Sequence, residues 1–160
     1  PAAAQNPAKE IRRLAELRFL SPEQAGAIEV PRVRAFFQSP LGRRVLASPE
    51  VHKERRFTAV IPPGMARPGT TGGEGETVIL QGAVDCTFVE GDRLHIIDFK
   101  TDKVDALEDL WARYQRQIEL YAFAMEEVTG MAVGEMFLYS TWLGQGEGRE
   151  YEPPVKRTGE

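Results

Sequence analysis

Apolar residues recur every three or four positions through the first fifty residues. Ile11, Leu14, Leu17 and Leu20 make one such stripe, interleaved with Arg12, Arg13 and Arg18, and predict an amphipathic helix. Ser21-Pro22-Glu23-Gln24 reads as a helix start, with Ser as cap and Pro in the first turn. Val33, Phe36 and Phe37 mark a further helix, and Leu41, Val45 and Leu46 another over 40–47. The period then falls to two. Over 51–61, Arg55, Phe57, Ala59 and Ile61 alternate with Glu54, Arg56, Thr58 and Val60, the pattern of a strand. Residues 62–76, rich in Pro and Gly, predict a mobile loop. A hairpin follows over 77–100. A long helix over 106–129 carries Leu107, Leu110, Tyr114, Ile118, Tyr121 and Met125, and Gly130 ends it. A strand over 133–141 comes next, with a short edge strand around 149–152. This order predicts one α/β domain over 1–160: a mixed sheet flanked by helices, with an N-terminal helical segment at about 7–48.

The hairpin holds the most informative chemistry. Gly91-Asp92 suits a two-residue turn, with Gly where φ must be positive. Glu90 then pairs with Arg93 and Val89 with Leu94. Continuing that register brings Asp85 opposite Asp98, on one face of the sheet. Facing side chains have Cβ atoms about 5 Å apart, where like charges destabilise. Burial adds to the cost unless a cation joins the pair, and a hard divalent ion with oxygen ligands meets that need. Lys100, two residues past Asp98, leaves the same face, and Leu94 and Ile96 anchor that face upstream. Two acids for a metal and an ammonium beside them are the parts for hydrolysing a phosphodiester.

Other groups are less specific. Gln117 and Tyr121 are four residues apart, with Tyr114 one turn earlier, so they share a helix face that can hold a phosphate or a water. Arg113 and Arg116 flank them. Tyrosines on such a face are also common core residues. Glu54 is either a further acid near the metal or a surface partner of Arg56 or Lys53. His95 has the wrong parity to join Asp98 and is expected on the opposite sheet face.

Composition narrows the class further. At 160 residues and 42% hydrophobic, the chain has the bulk properties of an ordinary globular domain. It has no apolar run long enough for a membrane span and no signal-like N-terminus, which predicts a cytoplasmic protein. The single Cys86 excludes an internal disulfide and any multi-cysteine zinc or iron–sulfur site, and reads as core. Residues 1–60 carry a net charge of +5 and residues 61–160 a net charge of −9. The first half suits a polyanion and the second a cation, although solvated helix faces give the same pattern.

Taken together, "LQGAVDC", "LHIIDFKTDK" and "YQRQIELYAFA" resemble the nuclease domain of RecB-type helicase–nucleases of the PD-(D/E)XK superfamily. The likeness is nearest to the C-terminal nuclease domain of the bacterial AddA-type helicase–nucleases. "FFQSPLGRRVLASPEVHKERRF" is similar to the segment before the nuclease strands there, so the resemblance covers about residues 20–139. It implies a restriction-endonuclease-like core excised from a larger helicase–nuclease. It also implies Mg²⁺, replaceable by Mn²⁺, on Asp85, Asp98 and the Phe99 carbonyl, with Glu54 as a further acidic position. Lys100 is implied to be catalytic, with Gln117 and Tyr121 as the family's Q-x-x-x-Y element. The implied function is exonucleolytic DNA cleavage in double-strand-break processing and recombinational repair, beside an AddB-type partner subunit in the bacterial cytoplasm, at the nucleoid. The family's upstream Gly-Thr…His motif is not found in residues 1–40, and a chain without it is expected to bind metal and cut poorly. Relatives with a four-cysteine iron–sulfur cluster are excluded by the cysteine count. Two rivals stay open: a non-catalytic DNA-binding or scaffolding module on the same fold, and another metal-dependent phosphodiesterase.

Overall fold

The computed structural model describes residues 2–66 and 77–154. Its helices are α1 (Ala2–Gln5), α2 (Pro7–Glu16), α3 (Pro22–Ala27), α4 (Val30–Gln38), α5 (Pro40–Ala47), α6 (Pro63–Ala66) and α7 (Leu107–Thr129). Its strands are β1 (Val51–Ile61), β2 (Val78–Glu90), β3 (Arg93–Lys100), β4 (Val133–Ser140) and β5 (Gln145–Glu150). The strands form one mixed sheet in sequence order. Among the described residues only β3 and β4 pair in parallel, with α7 as the crossover between them.

Two apolar layers cover the sheet. On one face, Leu94, Ile96, Leu138 and Val84 pack against Leu110, Trp111, Ile118 and Met125 of α7. On the other, Cys86, Phe88, Ile97, Phe137 and Tyr139 pack against Leu41 and Val45 of α5, with Phe36 of α4 alongside. Burial pushes the Cys86 thiol up to about 11, as suits a core cysteine.

Several local signals act as the sequence suggests. Ser21 and Gln24 form a reciprocal capping box on α3. Gly91 adopts φ 64° in the β2–β3 turn, and Gly130 closes α7 at φ 70°. Elsewhere the chain departs from the pattern. Helix α2 stops at Glu16, so Leu17 and Leu20 fall outside it. Arg18 is left-handed there, and the amides of residues 17–20 fold back onto the carbonyls of Arg13, Leu14 and Ala15. Strand β5 starts four residues earlier than expected. Its Gly146 and Gly148 hid the strand signal, yet a Cβ at either would strike the Tyr139 or Phe137 ring. Their bareness lets the aromatic rings of β4 lie across the edge strand. The expected loop over 62–76 opens with α6, and its residues 67–76 lie outside the described residues.

Candidate active site

Strand β2 changes its allegiance midway. From Glu90–Arg93 to Cys86–Ile97 it pairs with β3 in the predicted register, and there the β2–β3 ladder ends. Beyond that point β2 continues against β1 alone, while β3 runs on beside β4 as far as Lys100–Ser140. The predicted Asp85–Asp98 rung is therefore not made. Its two acids stand on opposite prongs of a fork.

The cause lies in a break of alternation. Cys86 and Phe88 face α5, whereas Val84, an even-numbered residue like them, belongs to the α7 layer. Strand β2 turns over at Asp85. Glu54, its counterpart on β1, drops out of the ladder between Lys53–Cys86 and Arg55–Val84 and takes φ 50°. A left-handed non-glycine residue inside a strand marks a bulge-like irregularity. The overturned backbone cannot serve the next β3 amide, so the Asp85 carboxylate does: Phe99 N–H donates to its Oδ2 at 2.8 Å.

Asp98 is buried at 6% exposure on the α7 face. Burial pushes its carboxyl above the usual aspartate range, Lys100 pulls it back, and the nearby charge of Asp85 raises it again. The two acids are thus electrostatic neighbours although they share no rung. Lys100 forms an ion pair with Asp98 Oδ2. Its ammonium also donates to Gln117 Oε1 at 3.0 Å and lies 3.8 Å from the centre of the Tyr114 ring. Gln117 Nε2 in turn donates to the Tyr121 hydroxyl at 3.3 Å, and the Tyr121 ring packs edge-on against Phe57.

The structure therefore joins Asp98, Lys100, Gln117 and Tyr121 in one connected cluster, with Asp85 on the facing prong. Glu54 sits on β1 opposite Asp85 with an exposed side chain, and among the described residues no ion pair joins it to Arg56 or Lys53. His95 lies on the opposite face, stacked on Phe88 at 5.0 Å. Arg116 points away from the cluster and donates to the carbonyls of Met65 and Ala66, pinning α6. Asp102 has a part that strand spacing alone did not assign. It accepts from the Tyr114 hydroxyl at 3.0 Å and pairs with Arg113, which fixes the ring under Lys100. The available signal was its parity, since 98, 100 and 102 continue one alternation.

The donor set suits a hard divalent cation. Two carboxylates flank the fork, one of them buried and paired with Lys100, and the Phe99 backbone adjoins both. Among the described residues no group of three or more His, Cys, Asp or Glu side chains forms a metal cluster. Any ion here would complete its shell with backbone oxygen and water.

A family model described as the PD-(D/E)XK nuclease superfamily matches residues 2–154. The chain is 40% identical, over 79% of its length, to the A component (AddA) of the ATP-dependent helicase/nuclease of Acetivibrio thermocellus. It is 39% identical over 75% of its length to the protein of that name from Pelotomaculum thermopropionicum, and 36% identical over 86% to that from Desulforudis audaxviator. It spans about a tenth of the length of these relatives: 10%, 10% and 11%. The forked mixed sheet, its acid pair and lysine, and a family match over nearly the whole sequence agree: the chain belongs to the PD-(D/E)XK nuclease superfamily.

Proposed function

We propose that the chain is the metal-dependent DNA exonuclease module of a bacterial helicase–nuclease of the AddA type, acting in double-strand-break processing and recombinational repair. The carrying observation is the Asp98–Lys100–Gln117 cluster beside Asp85 at the fork. In this reading Asp85, Asp98 and the Phe99 carbonyl hold Mg²⁺ or Mn²⁺, with Glu54 of β1 as a further acidic position. Such an ion neutralises phosphate charge and makes a water more acidic. Lys100 offers its ammonium to the charge that develops on the phosphate. Gln117 Oε1 and the Tyr114 ring hold that ammonium in place, so little reorganisation is left for the reaction. Tyr121 fixes the Gln117 amide from below. A helicase motor in the full-length protein, suggested by the relatives' names, an AddB-type partner and a cytoplasmic setting belong to the same proposal. Among the described residues no helix is long and apolar enough to cross a membrane.

The test uses end-labelled single-stranded and duplex DNA with Mg²⁺ or Mn²⁺. The unsubstituted chain should cut at a low but measurable rate, as expected without the upstream histidine motif, and Asp98→Ala and Lys100→Ala should not cut, with circular dichroism unchanged. Undiminished cleavage by a folded Asp98→Ala variant refutes the reading. Metal-independent DNA binding without cleavage favours the scaffolding module.

A further inference from the structure

We propose that Trp142, Arg32 and Lys103 form a subsite that stacks a base and holds a phosphate of single-stranded DNA, at the end of the strands that carry the catalytic cluster. The inference rests on the nuclease reading and names the form of substrate it prefers.

Trp142 is the more exposed of the chain's two tryptophans, at 42%, whereas Trp111 is 1% exposed in the core. It sits in a firm turn. Gly144 N–H and Leu143 N–H donate to the Ser140 carbonyl and hydroxyl, and Gly144 takes φ 68°. Thr141, the residue before it, donates both its amide (2.9 Å) and its hydroxyl (3.1 Å) to the Lys100 carbonyl. The ring is thus tethered to the last residue of the catalytic strand. Strand spacing of about 4.8 Å plus two residues of at most about 3.6 Å each puts the Trp142 backbone within roughly 12 Å of that of Lys100.

Two cations attend the ring. Arg32 Cζ from α4 and Lys103 Nζ from the segment after β3 each lie 5.0 Å from its centre. Arg32 also pairs with Glu29 at 2.8 Å, a carboxylate that a phosphate would have to displace. Arg32 lines a cleft of about 470 Å³ on the α4–α5 side of the sheet, opposite the face of Lys100, together with Glu29, Phe36, Phe99, Tyr139 and Thr141. An exposed indole flanked by cations is the chemistry that binds a stacked base with its phosphate. In a duplex the base faces are already stacked on one another, so the subsite selects single strands.

The experiment follows tryptophan fluorescence as a thymidine oligonucleotide is added in a chelator, which removes cleavage from the measurement. A Trp111→Phe background isolates Trp142. Its emission should be quenched by the single strand and far less by a duplex. Trp142→Ala should weaken single-strand binding by about tenfold, and Trp142→Phe should retain most of it. Arg32→Ala with Lys103→Ala should flatten the salt dependence. Unquenched emission, or unchanged affinity in a folded Trp142→Ala variant, overturns the subsite, as does a Trp142→Ala effect on melting alone, since the ring is then only a brace. Binding through Trp142 by a chain that never cuts refutes the nuclease reading and leaves the subsite standing. Normal cutting with unchanged affinity in Trp142→Ala does the reverse.

Discussion

Lys100 has its ammonium held between Asp98, Gln117 Oε1 and the face of Tyr114, so its position is set before any substrate arrives. Lys100→Met should then lower kcat by at least about a hundredfold, the usual loss when a charge-stabilising donor is removed. Lys100→Arg should fail to restore it, because a planar guanidinium does not fit a pocket shaped for a compact ammonium 3.8 Å above a ring. Steady-state kinetics on both variants checks this. His95 carries a pH prediction. Burial, then the Arg44 charge, lower its pKa from 6.5, while Glu135 and Glu90 oppose them. A group with a lowered folded pKa stabilises the fold above its unfolded pKa and loses that contribution as pH falls towards the folded value. Melting temperature should therefore drop below about pH 6.5, and His95→Gln should shrink that drop while keeping an acceptor for the Glu135 amide. At this scale Asp98 and Lys100 were legible, because period-two alternation alone places them on one buried face. Tyr114 was placed on the right helix face, but its bond to Asp102 was not foreseen, because it joins a loop past the end of β3 to a helix twelve residues on.

Helices α4 and α5 meet at a joint with no spare room. A Cβ on Gly42 would lie 2.0 Å from the Phe36 carbonyl oxygen, and backbone gives way far less readily than a side-chain tip. Gly42→Ala should lose at least about 1–3 kcal/mol in urea denaturation, the cost of overpacking. Arg44 then fastens α5 to the sheet. It pairs with Glu90 and Glu135 at 2.6 Å and lies over the Phe88 and Phe137 rings. Arg44→Ala should cost about 1–2 kcal/mol, from a partly exposed ion-pair network and its cation–π contacts, with Arg44→Lys intermediate. Helix and strand existence was well marked in the sequence: 40–47 and 51–61 hold to the residue as α5 and β1. What escaped was the overturn of β2 at Asp85. Period-two reasoning assumes an unbroken pleat, and the left-handed Glu54 that breaks it is not a glycine. The fork that separates the two acids therefore had no turn residue to announce it.

For the whole molecule, the order of elements was readable because each sheet neighbour is also a sequence neighbour, and a single long helix can only cross between parallel β3 and β4. That arrangement concentrates negative charge. Residues 61–160 carry a net −9, and at the fork one carboxylate is buried with another close by. A divalent ion seated there binds the folded chain only, because unfolding separates β2 from β3 and with them the two acids. Linkage then requires the fold to gain stability with metal, by about 2.7 kcal/mol at a hundred times the dissociation constant. For a domain of this size that corresponds to a rise of roughly 5–10 °C in melting temperature. Mg²⁺ and Mn²⁺ should both produce the rise, and a chelator should reverse it. Asp98→Ala should abolish it, and Asp85→Ala should do so as well, although Asp85 lies on the other prong. Monovalent salt at equal ionic strength should give no comparable rise, because screening acts on exposed charges while Asp98 is 6% exposed. A rise that survives both substitutions would put the metal elsewhere in the acidic half and remove the reason for the two acids to share a fork.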